Sequence, residues 1–175
     1  MFKKALVGLA VFAFVVTMSS AVFAQGLTAQ SCKDHAIAAA KLLEAEGDAA
    51  IAKIKDDKGE FRWADGQGYV WIHNLEGKMI MHPIKTALDG TDVSGTTDPK
   101  GFYLFVAMNE LVKEKGQGWV AYEWPKPGQK DAAAKVSYVV LVKKDGKDYV
   151  AGAGLYDLTA ADVTKQFPGD NIYKE

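Results

Sequence analysis

"GYVWIHNLEGKMIMHPIKTALDG", residues 68–90, is the stretch that decides the fold. Tyr69, Trp71 and His73 alternate with Val70 and Ile72, so the period is two and the run reads as a strand with an aromatic face. "LEGK" turns the chain and "MIMH" returns it, which makes a β-hairpin. The second strand ends in an imidazole, His82, and Pro83 stops it because proline has no N–H for a ladder. Residues 83–101 then form a polar, Gly-rich connection, longer than a compact domain tolerates unless it has a job or local helical turns.

Upstream of the hairpin, "SCKDHAIAAAKLLEAEGDAAIAKIKD" (31–56) reads as a helix, with Ser31 and Asp34 at capping-box spacing. Ala36, Ala39, Ala40, Leu43, Ala50, Ile51 and Ile54 give it one apolar face, and Gly47 predicts a break or kink. Downstream, "FYLFVAMNELVKEKG" (102–116) is a second helix that Gly116 ends. Three strand signals follow: "GWVAYEWP" (118–125), "KVSYVVLVKK" (135–144) and "DYVAGAGLYD" (148–157), the last two joined through Asp145-Gly146, a hairpin pair. Helix, two strands, long connection, helix and three strands predict an α+β domain with an antiparallel sheet.

The N-terminus carries a different signal. Lys3 and Lys4 precede the uncharged run "ALVGLAVFAFVV" and the small-residue exit "SSAVFA", the pattern of a secretory signal peptide over residues 1–24. Its apolar run is shorter than the ~20 residues a membrane span needs. Cleavage after Ala24 leaves Gln25 first and predicts a periplasmic or secreted protein with no membrane span after cleavage. The remaining 151 residues are enough for one domain. Losing two lysines moves the formal charge from -1 to -3, which argues against nucleic-acid binding.

Cys32 is the only cysteine, so no intramolecular disulfide forms and core packing holds the exported chain. Cys32 and His35 have C-x-x-H spacing without a second ligand pair, and no metal site is expected. No nucleophile–base motif or phosphate-cradling loop is present, so no enzyme is expected. The glycines of "VAGAGLYD" fall inside a strand and predict a close backbone approach or a bulge. The feature left is a concentration of amphipathic side chains in the strands: Tyr69 and Trp71, Tyr122 and Trp124, with Lys135 beside Ser137 and Tyr138. Buried polar groups need partners, and an anionic ligand supplies one.

The blocks "GYVWIHNLEGKMIMHP", "GWVAYEWPKPG", "KVSYV" and "YVAGAGLYD", in this order and spacing, resemble the single Cache domain, the PAS-like extracytoplasmic sensor module of bacterial chemoreceptors and histidine kinases. The resemblance spans about residues 28–157. It implies a PAS-like five-stranded antiparallel sheet with a long N-terminal helix on one side and a ligand pocket, commonly for short carboxylates, on the other. On this reading residues 25–57 are the N-terminal helical segment, 58–157 the sheet and pocket, and 158–175 a C-terminal tail.

Carried over position by position, the resemblance implies that His82 stands at the pocket rim and Lys135 faces a ligand carboxylate. Tyr122 and Trp124 line the wall, and Tyr103 adds a hydroxyl at the start of the second helix. Trp71 and Tyr138 complete the set, although strict alternation puts Tyr138 and Lys135 on opposite faces unless a bulge intervenes. A histidine of ordinary pKa would assist an anion more at pH 6 than at pH 8. Receptors of this type continue into a membrane helix, whereas here "LTAADVTKQFPGDNIYKE" follows. The expectation is a small organic acid binder that presents its ligand to a membrane receptor or kinase and holds no cofactor. Two alternatives are an interaction or structural module with a filled pocket, and a haem sensor, for which there is no C-x-x-C-H attachment signal.

Overall fold

The computed structural model describes residues 26–173, so the signal-peptide reading of residues 1–24 lies outside the described residues. Helix α1 (Ala29–Glu46) begins one turn before the expected position: its N-cap is Thr28, and Ser31 is the reciprocal partner. Thr28 Oγ1 accepts from the Ser31 amide at 3.0 Å and Ser31 Oγ accepts from the Thr28 amide at 2.9 Å. The expected Ser31–Asp34 box is therefore replaced by Thr28–Ser31, because a threonine three residues upstream leaves Ser31 free to act as the inner partner. Gly47, at φ 58°, ends α1 as expected, and the chain resumes in α2 (Ala49–Lys55).

The strands are β1 (Arg62–Trp63), β2 (Gly68–His73), β3 (Met79–Met81), β4 (Gln117–Pro125), β5 (Ala132–Lys144) and β6 (Lys147–Tyr156). They form one antiparallel sheet in the order β1-β2-β6-β5-β4, with β3 also on β2. The strand beyond the expected five is the two-residue β1, too short for its pattern to register in the sequence. Asp145 and Gly146 both take positive φ, 50° and 75°, as a tight β5–β6 turn requires. The connection after β3 contains a 3-10 turn, Thr86–Leu88, before α3 (Leu104–Lys115).

The sheet buries both faces. On one, Cys32, Ala36, Ala39, Ala40 and Leu43 of α1 meet Val70, Ile72, Val136, Tyr138, Ala151 and Ala153, small residues in both layers letting the helix sit close. On the other, Leu104, Phe105, Met108 and Val112 of α3 cover Trp71, Val120, Tyr122, Val139 and Val150. Residues 158–173, read from sequence as a tail beyond the sheet, pack on the same unit. Helix α4 (Ala160–Gln166) places Val163 against the α1 side. Residues 171–173 then run along β4, Trp119 N–H donating to Asn171 O and Tyr173 N–H to Trp119 O, each at 2.9 Å. That contact occupies backbone groups an edge strand would otherwise leave unpaired.

Candidate ligand-binding site

Alternation along β5 places Lys135, Ser137 and Val139 on the α3 face, and the register sets Lys135 between Tyr122 of β4 and Tyr156 of β6. Lys135 is 2% exposed. Its Nζ donates to Tyr69 Oη at 2.9 Å and lies 4.8 Å from the Tyr69 ring, 4.8 Å from Tyr156, 5.3 Å from Trp71 and 6.0 Å from Tyr122. No carboxylate pairs with it among the described residues. Burial lowers its pKa, while Tyr156 acts in the opposite direction. The cage therefore stabilises the ammonium only through ring faces and phenol oxygens. Burial likewise pushes the Tyr69 phenol up to about 12 and raises those of Tyr122 and Tyr156, so all three hydroxyls keep their protons.

The glycines of "VAGAG" make this cage possible. A Cβ on Gly152 would lie 2.3 Å from the Trp71 ring, and one on Gly154 would lie 2.1 Å from Ser137 Oγ. Trp71 thus lies directly over the backbone of β6, the close approach expected from the sequence. Its indole Nε1–H donates to His73 Nδ1 at 3.3 Å, which assigns the His73 proton to Nε2. His73 is fully buried, which lowers its pKa to about 3, with the neighbouring Asn109 of α3 acting in the opposite direction. The Asn109 amide nitrogen is spent on the Asn74 and Leu75 carbonyls. Trp71 therefore offers the cage a ring face rather than a donor.

His82 enters the site in an unexpected state. Its Nδ1 accepts the amides of Ile84 at 3.2 Å and Lys85 at 3.0 Å, while its own amide donates to Asp89 Oδ1 at 2.7 Å. The imidazole thus ties down the connection that Pro83 starts, and its proton sits on Nε2. Burial, then the charges of Lys135 and Lys85, lower its pKa to about 3. The expectation of a histidine that switches between pH 6 and pH 8 is corrected: the buried ring is neutral across that range.

Tyr122 donates to or accepts from Ser137 Oγ at 2.8 Å, and Trp124 lies 6.5 Å from it on the same face, edge-on to Phe105. Five of the seven expected residues, Lys135, His82, Tyr122, Trp124 and Trp71, thus share one face. Tyr138 does not. It lies on the α1 face, edge-on to Trp119 at 5.0 Å, because no bulge interrupts β5. Tyr103 is also outside: it is 54% exposed and precedes α3 with its ring turned to solvent.

Sequence reasoning noted Tyr69 beside Trp71 without assigning it to the site, and passed over Tyr156 and Lys85. The alternation that selected Trp71 also selects Tyr69, and Tyr156 follows only once the β5–β6 register is fixed. Lys85 had no periodicity to mark it. Its Nζ sits 3.8 Å over the Trp124 ring. A cleft of about 420 Å³ along the edge of β4 reaches Tyr122 and Lys135, its other lining including Asp98, Lys100, Phe102 and Tyr173. Cys32 and His35 both face inward from α1; His35 stacks on Trp63 at 3.8 Å and the Cys32 thiol is pushed up to about 12 by burial. Among the described residues no group of three or more metal-ligating side chains is assembled, and no helix is long and apolar enough to cross a membrane.

A long helix on one face of an antiparallel sheet, with a buried cation among aromatic rings on the other, defines an α+β sensor domain of the PAS-like class. The family model for the Cache domain matches residues 27–174, and the chain belongs to that family. It is 42% identical over 103 residues to the methyl-accepting chemotaxis protein McpP of Pseudomonas putida, covering 58% of this chain and 19% of that protein. It is 32% identical over 89 residues to the sensor histidine kinase MctS of Rhizobium johnstonii, covering 51% of this chain and 19% of the kinase. The chain therefore spans about a fifth of the length of these relatives. A solved Cache chemosensory domain, described for its recognition of carboxylic acid, superposes with a TM-score of 0.63 at 35% identity over 74% of this chain and 92% of its own. Cache domains are extracytoplasmic sensor domains of membrane chemoreceptors and kinases, and they bind small ligands rather than catalyse.

Proposed function

We propose that this chain binds a short-chain carboxylate outside the cytoplasm, with Lys135 as the anchor, and presents it to a membrane receptor or kinase. The observation that carries the reading is a fully buried ammonium with no carboxylate partner among the described residues. A buried charge without a counter-ion is costly, and an anionic ligand removes that cost. A filled structural core has no reason to keep it, which favours this reading over an interaction module.

In this reading the ligand carboxylate accepts from the Lys135 donors that Tyr69 leaves free and from the hydroxyl of Tyr69, the Tyr156 hydroxyl being spent on the Pro125 carbonyl at 2.9 Å. The neutral His82 adds its Nε2–H rather than a charge. The faces of Trp71 and Trp124 enclose the short apolar part. Because the cage is closed over Lys135, entry requires movement at the cleft beside β4 or in the 83–91 connection.

The test is a thermal-shift and fluorescence screen of acetate, propionate, lactate, pyruvate and malonate, with mass spectrometry for acid carried through purification. A true ligand raises the melting temperature with the logarithm of its excess over Kd. The reading fails if none of these acids shifts it. The export step is tested separately by the intact mass of periplasmic protein, expected to begin at Gln25.

A further inference from the structure

Beyond Lys135, a second ammonium stands at the mouth of the same site. Lys85 lies three residues past His82 in the connection, half-buried, its Nζ 3.8 Å over Trp124, which stands 6.5 Å from the cage residue Tyr122. The backbone that carries it is fixed by His82, whose Nδ1 accepts the Lys85 amide at 3.0 Å. No carboxylate pairs with Lys85 among the described residues, and the nearby Asp89 spends its oxygens on the His82 amide and Lys55.

We propose that Lys85 is a second anion contact, and that the site is built for a short dicarboxylate, one carboxylate on Lys135 and the other on Lys85. This rests on the carboxylate reading above and names the ligand class within it. One anionic group satisfies Lys135 and leaves Lys85 on an aromatic face; a second draws Lys85 off Trp124 into a charge-assisted hydrogen bond, stronger than a half-solvated cation–π contact. The two ammonium groups also sense one another. Burial and then Lys135 lower the pKa of Lys85, and after burial both charges lower that of His82, so the positive charges share one region with little acid to relieve them. A dianion relieves both at once. Trp124 then acts as a resting place for Lys85 and, as its face is uncovered, as the reporter of ligand closure.

The experiment is calorimetric titration of the full exported chain with propionate, malonate and succinate, for wild type, Lys85→Met, Lys85→Arg and Lys135→Met. Lys85→Met removes a half-exposed charge while keeping most of the side-chain length. The expected result is tighter binding of malonate or succinate than of propionate by wild type. Lys85→Met should then lose roughly 10-fold or more on the dicarboxylate and less than about 3-fold on propionate, with Lys85→Arg retaining the preference. Propionate binding that depends on Lys135 with no dicarboxylate preference, or equal losses on both acids in Lys85→Met, overturns this proposal and leaves the carboxylate reading intact. Absence of binding by every acid to wild type overturns both.

Discussion

Lys135 Nζ donates a 2.9 Å hydrogen bond to Tyr69 Oη although β6 lies between their strands. The lysine reaches across a strand because β6 presents glycine at Gly152 and Gly154 on this face, so no β6 side chain rises between β5 and β2 in the gap between Val150 and Tyr156. Sequence, packing and chemistry meet at this contact: two glycines open the floor, and a lysine crosses it with no carboxylate partner among the described residues.

Burying an unpaired ammonium makes the ligand-free protein less stable than it would be with an apolar side chain of the same length. Lys135→Met is expected to raise the melting temperature without ligand, since such replacements are often neutral or stabilising by about 1–4 kcal/mol. Differential scanning calorimetry in acid-free buffer checks this. A fall of several degrees would mean that the ammonium is structurally satisfied.

The same burial sets a pH dependence. The folded pKa of Lys135 is depressed below its unfolded value, so the unfolded chain holds more protons in the interval between them, and stability rises with pH there. His73 and His82 are depressed to about 3, from an ordinary value of 6.5, so their contribution is full above 6.5 and is lost as pH falls towards 3. Each group contributes a slope of up to about 1.4 kcal/mol per pH unit within that window. Denaturant melts from pH 7 to pH 4 should show the acid loss, and His73→Phe with His82→Gln should flatten it.

For ligand binding, a neutral His82 gives a different expectation. His82→Ala should weaken carboxylate binding by a similar factor at pH 6 and pH 8, because the ring carries no charge at either. Titrations at the two pH values decide this. A much larger loss at pH 6 would mean that the bound anion draws a proton onto the imidazole.

The floor of the cage makes a packing prediction. Gly152→Ala places a methyl 2.3 Å from the Trp71 ring, which cannot yield freely because its Nε1 is held by His73. Overpacking of this kind costs about 1–3 kcal/mol. Thermal melts should fall by roughly 2–12 °C at the scaling for a domain of this size, and tryptophan emission should shift as Trp71 moves.

Much of this was legible in the chain. The period-two aromatics of residues 68–73, the Asp145-Gly146 turn and the break at Gly47 gave strand, hairpin and helix boundaries, because each rests on local geometry. Tyr122, Trp124 and Lys135 shared a face by simple alternation along paired strands, and the same rule should have excluded Tyr138. What local pattern did not carry was the long-range register: Tyr156 joins the site only because β5 and β6 pair at Lys135 and Tyr156. The protonation of His82 was equally hidden, since it depends on burial and on two backbone amides supplied by a loop without periodicity. Tyr103 misled because an aromatic at a helix start has no signal that separates a pocket wall from an exposed ring.

The anchoring role proposed for Lys135 is checked by calorimetric titration of wild type and Lys135→Met with the best acid from the screen. Removing the charge should weaken binding roughly 10- to 150-fold, the equivalent of about 1.5–3 kcal/mol for a charge-assisted hydrogen bond, while the ligand-free variant melts no lower than wild type. An affinity unchanged in Lys135→Met would contradict it.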